Sequence, residues 1–165
     1  RGRGLMNPLR WQVLVPVAFT LTLLSPALRG LEMGPFLPDP WLLILLLAVS
    51  TRSSSLRPAV GWAFALGLLR ASVSAASPFS GWAGLGLGLL LRNRIEAQLS
   101  PLSPWVRFLV GAAAAVPLAL LDSFGSLALS GASLEPSVMS WRIFLSGCVW
   151  VFLARHAPRL SWSKR

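Results

Sequence analysis

Apolar residues fall along this chain in six runs, separated by short breaks rich in proline, glycine, serine and arginine. The most patterned stretch is Gly61 to Leu91, GWAFALGLLRASVSAASPFSGWAGLGLGLLL. Two apolar runs flank a small-residue break with one arginine in it, and glycines recur along both runs. Water-soluble cores are not written this way. In a bilayer, small residues let two helix backbones approach closely where no hydrophobic drive pulls them together. The pattern predicts the central helical hairpin of a small multi-span membrane protein.

The six runs place six spans, at about 11–28, 41–55, 59–73, 80–94, 105–121 and 138–154. The first, Trp11 to Leu28, is free of charge and gives about 27 Å of helix, close to the hydrocarbon thickness of a bilayer. Pro16 falls in its first turns, and Pro26 helps to end it. The second opens on Pro38-Asp39-Pro40, where Asp39 reads as an N-cap and Pro40 as a first-turn residue. Its core, WLLILLLAV, is short, so Arg52 and Arg57 would snorkel to complete the span. The fourth span carries Gly81, Gly84, Gly86 and Gly88. Gly84 and Gly88 form a GxxxG pair on one face, with Gly86 on another. The fifth repeats the small-xxx-small spacing at Gly111 and Ala115 and has Pro117 as an expected kink. Asp122 to Pro136 reads as a loop.

Composition supports the lipid reading. Of 165 residues, 55% are hydrophobic and only 12% charged, about half the share of a soluble domain. The length suits one domain. The net charge of +10 could suggest nucleic acid, but the arginines stand singly between apolar runs and line no polar face. No nucleic acid is expected. Attraction of cytoplasmic loops to an anionic leaflet accounts for them better. Alternate connections hold twelve and three of the positive residues. The rich set is Arg1, Arg3, Arg10, Arg52, Arg57, Arg92, Arg94, Arg107, Arg155, Arg159, Lys164 and Arg165. The poor set is Arg29, Arg70 and Arg142. The positive-inside rule then puts both termini in the cytoplasm. The acids lean the other way, with Glu32, Asp39, Asp122 and Glu135 outside and Glu96 inside. The expected architecture is all-α: a polytopic inner-membrane protein of about six transmembrane helices, with residues 1–10 a cytoplasmic segment, 11–154 the six-span domain and 155–165 a basic cytoplasmic tail. The first apolar run lacks a signal-peptide cleavage pattern. The five residues before Met6 carry no weight in this reading.

Candidate chemistry is sparse. HExxH, GxSxG, a phosphate-binding loop and any Cys/His cluster are all missing from the sequence, so no enzyme activity, metal or cofactor is expected. His156, among basic residues at a boundary, reads as a lipid head-group contact rather than a base. Cys148, on an apolar helix, reads as packing. Asp122 has no partner near it in sequence and reads as a helix-end or loop residue. Trp11, Trp41, Trp105, Trp141 and Trp162 suit an interfacial belt. Trp62 and Trp82 occupy matching places in spans three and four and read as belt or packing rather than as a binding site. Arg70 is the most informative charge, because it lies where the bias disfavours positives. A charge at that depth marks a functional site by default. It could pair with Asp122 or Glu135, reach head groups, or snorkel to the outer surface. Gly81, Gly84, Gly88, Gly111 and Arg70 are the candidate interface residues.

These features together resemble the rod shape-determining protein MreD family. The resemblance rests on six short spans and on Arg57-Pro58 opening a third span that ends Gly67-Leu68-Leu69-Arg70. It continues through Pro78-Phe79-Ser80-Gly81-Trp82-Ala83-Gly84-Leu85 and covers about Met6 to Pro158. The family usually has an acidic residue after the Gly-Leu-Leu, where this chain has Arg70. The resemblance implies a non-enzymatic membrane scaffold of the cell-elongation complex for peptidoglycan. It would bind the single-span protein MreC and act beside MreB, the glycosyltransferase RodA and a class B penicillin-binding protein. The competing expectation is the substrate-binding membrane subunit of an energy-coupling-factor transporter, with Arg70, Asp122, Glu135 and Trp82 as its candidate polar groups.

Overall fold

The computed structural model describes residues 8–29, 34–49, 56–73, 78–99, 103–131 and 135–160. They form six α-helices: α1 (Pro8–Arg29), α2 (Pro40–Val49), α3 (Leu56–Val73), α4 (Pro78–Gln98), α5 (Pro104–Ser130) and α6 (Pro136–Leu160). A single 3-10 turn, Gly34–Phe36, precedes α2. Among the described residues there is no strand. Five of the six helices begin on a proline, whose fixed φ suits the first helical position and whose missing N–H is lost there at no cost.

The described residues are all-α, as expected, and the described part of each of the six apolar runs is helical. Most helices run a few residues beyond the expected bounds, and α5 runs furthest. Helix α1 runs through Pro16 and past Pro26 to Arg29. Helix α5 does not stop near Leu121 but continues through Pro117, Asp122 and Gly125 to Ser130. It ends where Gly131 takes φ 69°, and its N–H donates to the Leu127 carbonyl, a left-handed cap that glycine adopts without a Cβ clash. Residues 122–130, expected as loop, are therefore helix. Helix α2 has ten described residues, about 15 Å, or half the thickness of a hydrocarbon core. Residues 50–55 of the expected second span lie outside the described residues.

Two helical stretches are long and apolar enough to cross a membrane, Pro104–Ala128 and Pro136–Arg155. Leu14–Ala27, Pro40–Val49 and Ala59–Val73 are shorter apolar stretches. In α4, Arg92, Arg94, Glu96 and four glycines dilute the apolar character.

The chain runs α3 against α4, α4 against α5 and α5 against α6, with α2 enclosed by α1, α3, α4 and α6. Helix α2 is apolar all round, as a helix covered on most sides must be, and seven of its ten residues are buried. Around it lie Ala59, Trp62, Ala63 and Leu66 of α3, Leu85 and Leu89 of α4, and Leu118 of α5. Large apolar side chains point outward from the peripheral helices, among them Phe19 and Leu23 of α1, Phe64 of α3, Leu90 of α4, Phe124 of α5 and Phe152 of α6.

The glycines set the helix spacing. A Cβ on Gly88 would lie 2.5 Å from the Ala114 carbonyl oxygen, and one on Gly84 would lie 3.0 Å from the Leu118 Cα. Both fit α4 against α5. A Cβ on Gly111 would meet Ser146, Gly147 and Trp150 of α6, and one on Gly81 would lie 3.3 Å from the Gly67 carbonyl of α3. The face read from sequence as a partner interface is thus filled within the chain. Gly86 differs, with nothing within 4 Å of its added Cβ. Gly88→Ala should destabilise the bundle by about 1–3 kcal/mol, because the obstacle is backbone. Gly86→Ala should range from neutral to a gain of about 1 kcal/mol. Thermal unfolding of the two variants in detergent checks this; equal losses would show that the α4–α5 approach is not set by Gly88.

Candidate functional site

Four charged side chains from four helices meet in one cluster. Asp39 stands directly before α2, Arg70 near the end of α3, Asp122 in the last third of α5 and Arg142 in the second turn of α6. Arg70 Nε donates to Asp39 Oδ2 at 2.8 Å, and its Nη2 donates to Asp122 Oδ2 at 2.5 Å. Arg142 Nη1 lies 3.4 Å from Asp122 Oδ2, and its Nη2 lies 3.8 Å from Asp39 Oδ2. The Arg70 side chain is 2% exposed and that of Asp39 4%. Asp122 and Arg142 retain 11% and 17%.

The local sequence explains how each group arrives. The proline pair fixes Asp39 as the N-cap of α2, where its Oδ1 accepts from the backbone N–H groups of Trp41 and Leu42 at 3.1 and 3.3 Å. This is the capping role that its position predicts. The second oxygen is left to face α3 and binds Arg70. The α3 helix places Arg70 on the same side as Ala59, Ala63 and Leu66, the buried side. Helical continuation through Asp122 turns that residue inward instead of leaving it in a loop. Two arginines face two aspartates, so the formal charges cancel.

Cancellation matters here because burying an isolated ion costs several kcal/mol, which only a close, well-bonded partner offsets. Arg70 has the geometry for two carboxylates, since its planar fork carries five donors. Asp122 Oδ1 is buried with no hydrogen-bond partner among the described residues. A second polar chain ties α1 to α2: Trp41 Nε1 donates to Thr22 Oγ1 at 3.1 Å, and Thr22 Oγ1 donates to the Ala18 carbonyl at 2.7 Å.

No family model, curated protein or solved structure matches this chain.

Of the residues singled out from sequence, the structure joins Arg70 to Asp122, one of its two candidate partners. Glu135 is exposed, and Trp82 lies on α4 over Gly67. Asp39 and Arg142 were missed as members. The signal for Arg142 was there, since it shares with Arg70 the anomaly of a positive residue on the poor side of the charge bias. Trp41 is not in an interfacial belt; it is fully buried. Trp105 and Trp141 are exposed, while Trp62 is buried. Cys148 is exposed rather than packed. The side chains of Trp11 and His156, and the whole of Trp162, lie outside the described residues. No group of three or more His, Cys, Asp or Glu suited to a metal occurs among the described residues.

Beside the cluster is a cleft of about 380 Å³ between α1, α2 and α6. Asp39 and Arg142 form part of its wall, and the remaining wall is nearly all apolar.

Removing one member of a buried ion pair strands its partners. Arg70→Met should therefore cost about 3–5 kcal/mol in bundle stability. Arg70→Lys should fall between that and the parent, because an ammonium keeps the charge but loses the fork. Chemical or thermal unfolding in detergent reads both. A loss below 1 kcal/mol for Arg70→Met would mean that water, not Arg70, satisfies the two aspartates.

Proposed function

We propose that this protein is a non-enzymatic, multi-pass membrane scaffold of the MreD type, with MreC as its direct partner in the bacterial cell-elongation complex. The observation that carries the membrane part of this reading is the outer surface. Large apolar side chains project from five peripheral helices, while the charged groups of α2, α3, α5 and α6 turn inward and neutralise one another. That is the arrangement a lipid-facing bundle requires, since intramembrane charges must face the interior and pair. The scaffold part rests on the resemblance in order and spacing of the spans. Where the family usually has an acid, Arg70 finds two carboxylates, so the departure reverses a charge without leaving it unanswered.

The inward pairing also sharpens the orientation. Arg70 and Arg142 are neutralised within the bundle and do not act as loop charges. Of the three positives on the poor side of the bias, only Arg29 then counts, and the inside placement of both termini in the inner membrane follows more firmly from the rule. In this reading α1 to α4 supply the remaining four spans, beside the two long apolar stretches of α5 and α6. The transporter-subunit alternative is weaker, because none of its four candidate polar groups, Arg70, Asp122, Glu135 and Trp82, lines the cleft.

Two measurements test this. Tagged protein purified from native membranes should retain MreC, and depletion should cost cells their rod shape; cells that keep their width on depletion would defeat the scaffold reading. With Cys148 replaced by Ser, a cysteine at Glu135 should react with a membrane-impermeant maleimide in intact cells. One at Gln98 should react only after permeabilisation. The reverse pattern would invert the topology.

A further inference from the structure

The cleft between α1 and α6 has two unlike ends. At one end lie Ser25, Asp39 and Arg142, closed over by the turn that precedes α2. Towards the other, Val17 and Leu21 of α1, Leu43 and Leu47 of α2 and Leu153 of α6 form an apolar channel. Arg142 and Leu153 are eleven residues apart on one helix, so the channel is about 16 Å long. Its volume holds roughly a dozen groups of water or methylene size, at ~30 Å³ each. A partner helix would need a longer groove, since this channel offers about 16 Å against the ~30 Å that a spanning helix presents.

Arg142 is the loosest member of the ion cluster, with contacts of 3.4 and 3.8 Å, and it is the more exposed of the two arginines. Its guanidinium has five N–H donors, more than these two contacts use. Because the cluster's charges cancel, the site offers a donor without a net positive field. It therefore suits a neutral acceptor better than a free anion.

We propose that the cleft is a binding site for one acyl chain of an outer-leaflet glycerophospholipid, with the ester carbonyl at the head of that chain accepting from Arg142. This rests on the membrane-embedded reading above. The lipid would complete the bundle surface where α1 and α6 leave α2 uncovered. Selectivity should lie in the chain and its ester, not in the head-group charge.

The test uses the unmodified protein in vesicles containing a phospholipid with a diazirine midway along one acyl chain. Helix α2 is buried on its other sides, so lipid reaches it only through the cleft. Photo-adducts should concentrate on Leu21, Leu43 and Leu47. Adducts spread over Phe64, Leu90, Phe124 and Phe152 according to exposure, with α2 spared, would overturn the proposal. In native mass spectrometry the parent should retain one phospholipid. Leu43→Trp/Leu47→Trp, which fills the channel, should lower that occupancy about tenfold. Equal retention by parent and filled variant would count against the site, and so would loss of a bound protein instead of lipid, which would make the cleft a helix-docking groove. Phosphatidylethanolamine and phosphatidylglycerol should bind alike; retention of the anionic lipid alone would refute the carbonyl contact. A protein that fails to sediment with vesicles at all would defeat the membrane reading itself, a result separate from these.

Discussion

A guanidinium enclosed by helices cannot give up its proton at any accessible pH, so Arg70 must be answered by carboxylates wherever the fold puts it. That requirement fixes the relations of four helices. Asp39 brings the start of α2 to the end of α3, Asp122 brings α5, and Arg142 restores neutrality from α6. None of these helices can slide along its axis by a turn without stranding a charge. Packing alone would be a weaker constraint, because apolar helix faces find apolar contact in a shifted register as well.

The bundle uses two kinds of contact, divided by position. Helices α3 to α6 are joined in sequence by close backbone approach at Gly67 and Gly81, Gly84 and Gly88, and Gly111 and Gly147. Helices α1 and α2 have no such glycine contact among the described residues and are joined through Thr22 and Trp41. Small-residue packing and interhelical hydrogen bonds are the two forces available to helices in lipid. Asp39 links the systems, since one of its oxygens caps α2 and the other holds α3. The charge cluster thus sits where the hydrogen-bonded pair α1 and α2 meets the glycine-packed helices.

The helices were legible in the sequence because apolar runs and helix-starting prolines carry local information. The cap at Asp39 was legible for the same reason. Its second contact was not, since Arg70 is thirty-one residues away and periodicity holds no record of that distance. The end of α5 was misread through a real local signal: Asp122-Ser-Phe-Gly is turn chemistry, overridden because the carboxylate meets two arginines inside the bundle. Trp41 was misread because a tryptophan at a span end normally marks the interface. Here α2 begins within the protein, and the indole N–H is taken up by Thr22 of α1. The GxxxG pair was read correctly as a close approach, but the sequence could not name the partner, which proved to be α5 of the same chain.

The internal use of the glycines changes what an outside partner can meet. If Gly84 and Gly88 are occupied by α5, no glycine-lined groove on that face remains for another protein's helix. Recognition must then use large exposed side chains such as Phe64, Trp82, Phe124 and Phe152, or the cleft over α2. Large flat apolar surfaces discriminate poorly among helices, because in a bilayer lipid would compete for them on equal terms. The cleft is different, since it places a paired but accessible arginine at one end of an apolar channel. Specificity in this molecule therefore concentrates near Arg142, beside the same cluster that fixes the helices. An occupant of the cleft would touch the element on which the rest of the bundle depends.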